Sequence, residues 1–210
     1  MRSRSSRKKI VLATFNPGKL REIRRSLGRL PVEFLSLQDI GADEDIEEKG
    51  ETFLENARLK SLAYSSLSEH LTLAEDSGLE VEYLAGAPGV FSARFSDPGA
   101  TDERNIQKVL RLLQGVPWRD RRARFVCQLV LSQKGRILKE YRGQVRGYIA
   151  LEKSGDFGFG YDPIFFYGPF GRAFGRVPRT KKNAVSHRGR ALKKMKLYLL
   201  RFLASADGQT

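Results

Sequence analysis

The chain has little with which to cross-link itself. One cysteine, Cys127, in 210 residues excludes an intramolecular disulfide framework and a cysteine-rich zinc site. Two histidines, His70 and His187, exclude a histidine metal cluster. No apolar run reaches the ~18 residues needed to span a bilayer. The basic N-terminus is followed by only a few apolar residues before Thr14 and Asn16, which is not a secretory h-region, so a soluble, cytoplasmic protein is expected. No internal repeat and no Pro/Ser-rich linker divides the chain. Acids are scarce: 24 Asp and Glu stand against 38 Lys and Arg, a net charge of +14. Such a field favours polyanions: nucleic acid, nucleotides, phosphates or acidic membrane surfaces.

What is present reads as one ordinary domain. With 40% hydrophobic and 10% aromatic residues the chain is not intrinsically disordered. At this length it can bury roughly 70% of its unfolded surface without a metal or disulfide. Five of the first nine residues are basic and read as a flexible tail over residues 1–8, through which weak electrostatic nucleic-acid binding is expected. The domain is expected over residues 9–204, with a short C-terminal tail at 205–210. Four arginines in residues 119–124 read as a loop leading into a strand.

Residues 9–14 form a short apolar run and predict a buried strand. Asn16, Pro17 and Gly18 are turn chemistry, and Leu20, Ile23 and Leu27 then recur at helical spacing until Gly28. A second strand is predicted at 32–37 and an acidic loop at 41–51. Thr52 with Glu55 makes a capping box for a helix through Asn56, Ala57, Lys60 and Ala63. A strand at 71–74, a turn at 75–78 and another strand at 79–84 follow. A helix is predicted at 101–113. Strands at 123–131 and 137–145 flank a hairpin turn, a strand fragment lies at 164–167, and a final helix starts near His187 with Ser186 as N-cap. Helices alternating with strands, and an antiparallel pair in the middle, predict an α/β domain with a mixed sheet.

Four segments carry chemistry. Thr14-Phe15-Asn16-Pro17-Gly18-Lys19 joins a strand to a helix, where backbone N–H groups attract phosphate and Lys19 adds a charge. The spacing is not G-x-x-x-x-G-K-[ST], and by itself the segment also fits a plain turn with a surface lysine. Glu47 and Glu48 in the acidic loop, and Glu75 and Asp76 after a buried strand, are carboxylates of the kind that hold Mg²⁺ for a polyphosphate; Glu47 and Glu48 alone also fit a solvated loop. Phe159-Gly160-Tyr161-Asp162 puts two aromatics beside an acid, fit to stack on a base or to pack on the core. Lys182 and then Ser186-His187-Arg188 place cations in the first turn of a helix, where the dipole disfavours them; an anionic or carbonyl-bearing ligand would explain this. Together the segments describe a nucleotide site.

These residues resemble the inosine triphosphate pyrophosphatase family. The matching segments, at 13–19, 47–57, 74–81, 86–94, 158–165 and 183–189, occur in the family's order. The resemblance implies an elongated mixed β-sheet flanked by helices, with two lobes and a central cleft, and a homodimer. It implies hydrolysis of ITP, dITP and XTP to monophosphate and pyrophosphate with Mg²⁺. Carried over residue by residue, Thr14 to Lys19 match the triphosphate loop. Asp76 matches the general base and metal ligand, and Glu47 or Glu48 the second metal carboxylate. Ser77 matches a substrate contact, Phe159 to Asp162 the base pocket, Lys182 a substrate-binding lysine, and His187 with Arg188 the base-reading pair. Two departures stand out. Glu75 occupies a position where relatives have Asp, which bears on metal geometry. Residues 177–181 are basic where relatives carry acids, which would remove negative charge near the cleft. The rival readings are a pyrimidine or modified-nucleotide pyrophosphatase of similar fold, and a nucleic-acid-binding protein.

Overall fold

The computed structural model describes residues 7–206. The elements run β1 (Lys9–Ala13), α1 (Pro17–Leu27), β2 (Glu33–Leu35), α2 (Phe53–Ser66), β3 (Leu71–Val81) and α3 (Asp102–Leu112). Then come β4 (Arg122–Gln133), β5 (Arg136–Ile149), β6 (Phe165–Tyr167), β7 (Arg172–Ala173), α4 (Arg179–Val185) and α5 (His187–Ala206). Among the described residues the strands form one sheet in the order β2-β1-β3-β4-β5-β6-β7. β1 pairs in parallel with β2 and β3, and every other pairing is antiparallel. The expected mixed α/β sheet is therefore present. No described helix is long and apolar enough to cross a membrane. Most of the basic tail and the last four residues lie outside the described residues. Lys8 is already tied to the sheet, its carbonyl accepting the Glu33 N–H at 3.0 Å, and α5 continues to Ala206.

β3, β4 and β5 are the frame. Each is longer than the sequence pattern suggested, and each passes through both lobes. At one end, α1 and α5 bury Ile23, Leu27, Met195 and Leu199 against Ile10, Leu12, Leu73 and Leu129. At the other end, Ile106 and Val109 of α3 pack with Leu79, Val81, Phe125, Val145 and Phe165. On the opposite face Tyr64 of α2 closes over Val11, Ala13 and Ala74. The cleft lies between these clusters.

The turn expected at residues 75–78 does not exist. β3 pairs with β4 in unbroken register from Thr72↔Ser132 to Val81↔Ala123. The polar run Glu75-Asp76-Ser77-Gly78 mimics turn chemistry, but ten consecutive cross-strand pairs outweigh local preference. Gly78 serves close packing instead: a Cβ there would sit 2.2 Å from Ser92 Oγ and 2.7 Å from the Gly89 carbonyl.

Local signals held at the helix starts. Thr52 and Glu55 form the reciprocal capping box, and Ser186 Oγ accepts from the Gly189 N–H at 3.1 Å; Asn16, expected only as part of a turn, caps α1. α4 has no apolar period of its own and was missed. The basic run before β4 also hides a buried side chain. Arg121 is 3% exposed and donates to the carbonyls of Ile149 (2.8 Å), Leu113 (2.7 Å) and Ala150 (2.8 Å). It stitches α3 to the end of β5. Arg121→Met strips three carbonyls of a charged donor, and we expect a loss of about 3 kcal/mol, read as a lower urea midpoint with unchanged slope. A midpoint equal to that of the parent chain contradicts this role.

Candidate active site

The site opens where β1 stops. β1 covers β3 only as far as Ala13↔Ala74, and the 87–92 segment takes up that edge again only from Leu79, whose N–H donates to Ser92 Oγ, and Glu80, which bridges Pro88, so over residues 75–78 one edge of β3 has no strand beside it. Beyond it lies a cavity of about 230 Å³ whose lining includes Thr14, Asn16, Lys19, Glu48, Lys60, Asp76, Ser77, Phe159, Lys182, His187 and Arg188. Side chains alternate along a strand, so Glu75 and Asp76 leave β3 on opposite faces. Glu75 and Ser77 turn toward α1 and α5, and Asp76 turns toward α2.

On the α1/α5 face the cations are neutralised internally. Arg188 donates through Nε and Nη2 to the two oxygens of Glu75 (2.6 and 3.0 Å), through Nη2 to Ser77 Oγ (2.9 Å), and through Nη1 to Glu22 Oε2 (2.5 Å). One Nη1 hydrogen is left uncommitted. Lys182 bridges Glu22 (3.0 Å) and Asp162 (2.5 Å), and Lys19 lies 3.3 Å from Glu75. Burial alone would raise the Glu22 and Glu75 pKa values, but Arg188, Lys182 and Lys19 overcome it and hold both below the usual glutamate range. The reason for cations in the first turn of α5 is therefore this pair of carboxylates. Glu75, expected to bear on metal geometry, faces away from the Asp76 side and is wholly engaged by Arg188 and Lys19. Glu22 carried no signal: it sits mid-helix in α1 and finds its partners 160 or more residues away.

The base of the cavity is aromatic. The Phe159 ring has Lys182 Nζ at 5.1 Å and Arg188 Cζ at 5.4 Å from its centroid, a cation–π arrangement. Asp162 Oδ2 accepts the Phe159 N–H at 3.0 Å, and the Gly160 N–H donates to Asp102 at 2.7 Å. Tyr161 is buried and its hydroxyl donates to the Ser92 carbonyl at 2.8 Å, which makes it a wall of the cavity rather than a mobile stacking ring. His187 stacks on Phe125 with centroids 4.7 Å apart and planes at 16°, and its buried Nδ1 has no partner among the described residues. Burial, helped by Arg188 and Lys182, pushes its pKa well down. His187 is neutral, which removes the protonated form as a way of donating from this ring.

The phosphate loop differs from expectation in one respect. Asn16 Oδ1 already accepts the N–H groups of Gly18 (2.9 Å) and Lys19 (3.0 Å), so these amides are not open to a phosphate. Phe15 packs on the cluster around Tyr64, Pro17 is the first residue of α1, and neither these two nor Gly18 lines the cavity. Gly18 has a packing role: a Cβ there would come 2.8 Å from the Phe159 ring.

On the α2 face the balance is reversed. Asn56 and Lys60, one turn apart, point together at Asp76. Asn56 Nδ2 donates to Asp76 Oδ2 at 3.4 Å. Lys60 Nζ lies 2.5 Å from Glu48 and 4.0 Å from Asp76. Tyr64 fixes the 44–51 loop by donating to the Glu44 carbonyl and to Asp45 (3.1 Å each). In that extended loop neighbouring side chains diverge. Glu48 enters the cavity, whereas Glu47 points out, 76% exposed and paired with Lys49; Glu47 is not placed to share a metal with Asp76. Burial raises the Asp76 pKa against the opposing pull of Lys60 and Lys19. Two carboxylates against one ammonium leave this side negative. Among the described residues no three His, Cys, Asp or Glu side chains gather into a metal cage. Glu48 and Asp76 therefore suit a hard cation that takes one or two protein carboxylates and fills its shell with water and phosphate. In the sequence, Lys60 and Asn56 show only as positions on α2; their approach to Asp76 comes from the fold. Cys127 is fully buried, and burial with Glu75 nearby pushes its thiol well up, so it is not a nucleophile.

Glu22→Gln is expected to cost about 3 kcal/mol at neutral pH, because it removes one partner of a buried pair. The Glu22 pKa is depressed in the fold, so its contribution is present above the ordinary glutamate pKa and is lost as pH falls toward the native value. The variant should lose less stability than the parent chain between pH 5 and 3, as ~2 units of acid titration followed by denaturant midpoints would show. Parallel acid-unfolding curves contradict the assignment.

A profile of the Ham1 family matches residues 10–198. A dITP/XTP pyrophosphatase from Bacillus subtilis is 43% identical over 188 residues, covering 90% of this chain and 95% of that protein. One from Geobacter sulfurreducens is 44% identical over 191 residues, covering 91% and 96%. Among solved structures, a HAM1 protein from Coxiella burnetii superposes with a TM-score of 0.84 at 39% identity, covering 92% of this chain and 99% of that one. The Ham1 protein of Staphylococcus aureus gives 0.82 at 38%, covering 91% and 98%. Matched at this identity along nine-tenths of its length, in sequence and in backbone alike, the chain belongs to the Ham1 family.

Proposed function

We propose that the chain is a nucleoside triphosphate pyrophosphatase acting on dITP, XTP and ITP, releasing the monophosphate and pyrophosphate. The observation that carries this reading is the asymmetry of the cavity: a negative wall of Glu48 and Asp76 faces an aromatic, hydrogen-bond-donating and charge-compensated wall of Phe159, His187, Arg188 and Lys19 across the strand edge left open at residues 75–78. The names of the relatives, dITP/XTP pyrophosphatases, agree with it.

In this proposal the base lies against Phe159, and stacking contributes about 1–3 kcal/mol. Lys19 meets the phosphates. The raised basicity of buried Asp76 suits a general base: its carboxylate orients a water and takes its proton as the oxygen bonds to the α-phosphorus. The bond from that phosphorus to the α–β bridging oxygen breaks, and pyrophosphate leaves with the electron pair. Lys60 and Asn56 hold the Asp76 carboxylate in place. Glu48 and Asp76 would hold Mg²⁺, which when bound supplies charge neutralisation for the polyphosphate. A homodimer belongs to the same proposal, and a monomer mass in sedimentation would remove it.

Selectivity rests on the 6-keto group. Hypoxanthine and xanthine present an acceptor there, and adenine presents a donor. Arg188 contributes its remaining Nη1 hydrogen, and His187 one ring N–H. A donor left unpaired against adenine is the kind of mismatch that separates substrates by large factors.

Incubated with Mg²⁺, the protein should convert dITP, XTP and ITP to monophosphate and pyrophosphate far faster than ATP, UTP or dTTP. Asp76→Asn should lower kcat by about 10²–10⁴ with the fold intact. Preference for dTTP or UTP would move the chain to a pyrimidine-directed reading, and a near-normal Asp76→Asn enzyme would remove the base assignment.

Arg188→Ala is a poor probe of selectivity, since it strands two buried carboxylates. His187→Phe keeps the stack on Phe125 and deletes both ring nitrogens. We expect it to lower the dITP-to-ATP ratio of kcat/KM at least ~10-fold at unchanged Tm. An unaltered ratio rules out His187 as a reader of the base.

A further inference from the structure

The net charge of +14 is not spread evenly. α1, α4 and α5 pack side by side, and among the described residues of these three helices the one acid is Glu22. Glu22 is turned inward onto Lys182 and Arg188. Every other charged side chain on these helices is a cation. The basic residues of 177–181 belong to this surface: Arg179 and Lys181 are exposed on α4 and do not line the nucleotide cavity.

Three adjoining hollows run across this face. The first is lined by Arg21, Arg24 and Arg25 of α1 and by Arg179 and Asn183 of α4, with Glu22, already paired with Lys182 and Arg188, also in its lining. The second shares Arg25 and Asn183 with the first and adds Lys193 and Lys196 of α5. The third shares Lys193 with the second and adds Arg190, Lys194 and Arg142. The shared residues set the hollows side by side in series; Arg190, Lys194 and Lys196 each also donate to a backbone carbonyl, of Gln144, Arg142 and Ser26. Arg21, Arg24, Arg25, Arg179 and Lys193 form no ion pair among the described residues. Phe159 borders both the first hollow and the nucleotide cavity, so the series runs beside that cavity without entering it.

We propose that this face docks the phosphate backbone of a nucleic acid. Successive hollows, each lined by several cations, fit a ligand that repeats its negative charge along its length. Arginine forks recognise phosphate oxygens in pairs. The same face of a second copy is disfavoured as the occupant, because in a symmetric contact like charge would meet like charge. A membrane is disfavoured by the orientation of α5: its apolar stripe of Leu192, Met195, Leu199 and Leu203 is buried in the core, whereas a helix lying on lipid turns that stripe outward. The proposal is independent of the pyrophosphatase reading.

The test is fluorescence anisotropy of a labelled 20-nucleotide single strand and the matching duplex, with the full chain, a chain lacking residues 1–6, and the triple variant Arg24→Glu, Arg25→Glu, Lys193→Glu. We expect binding at 50 mM NaCl, and a log–log salt slope of about −4, corresponding to roughly six neutralised phosphates on a single strand. The shortened chain should retain most of this. The triple variant should bind more than ~10-fold more weakly with a slope shallower by about 2, while its Tm and its dITP turnover match the parent. The proposal is overturned if no binding occurs at 50 mM NaCl, if binding disappears with residues 1–6, or if the triple variant binds like the parent. Tighter binding to vesicles of anionic lipid than to the oligonucleotide overturns it in favour of a membrane.

Discussion

Arg188 is the side chain on which the site depends. It is the largest of the fully buried side chains, and its guanidinium joins α5 to β3 through Glu75 and to α1 through Glu22. Lys182 extends the same network to Asp162 and the Phe159 loop. Three acids, Glu22, Glu75 and Asp162, meet three cations, Lys19, Lys182 and Arg188, with every one of these side chains but Lys19 nearly or fully buried. A buried network of this kind adds little net stability over an apolar core but is costly to break at one member. Its consequence is positional. Four separate stretches of chain are held in one arrangement, and Phe159 and His187 are placed against it.

The two walls of the cavity differ because β3 is a strand. Alternation sends Glu75 and Asp76 to opposite faces, and each face has its own charge balance: compensated toward α1 and α5, negative toward α2. One continuous strand thereby builds a charge-compensated wall and a negative wall within two residues. The end of β1 at Ala13 is what exposes both faces to one cavity. A longer β1 would cover the edge, and the same residues would be buried in the middle of a sheet.

Charge outside the site follows a different rule. Inside, every cation within reach has a carboxylate. Outside, on α1, α4 and α5, cations stand beside cations. The excess recorded in the composition is concentrated on one face of the folded domain and is not confined to the N-terminal residues.

Much was legible from local chemistry. The Thr52–Glu55 capping box, the Ser186 cap and the periodicity of α1 and α3 rest on contacts within a few residues, and the β4–β5 hairpin on a short turn between two apolar runs, so local chemistry along the chain is enough to read them. It also shows which segments carry functional groups, since the 14–19, 75–77, 159–162 and 182–188 stretches are dense in them. Tertiary structure decided the rest. Whether residues 75–78 turn or continue depends on β4, more than forty residues away. Whether Glu47 or Glu48 faces inward depends on Tyr64 anchoring the loop. Glu22 and Lys60 look like ordinary helix-surface residues until Arg188, Lys182, Glu48 and Asp76 are brought to them. Arg121 reads as one arginine among several until three carbonyls surround it. Local propensity acts over one turn of chain, while burial and ion pairing act between whatever residues the fold makes neighbours, and only the fold says which those are.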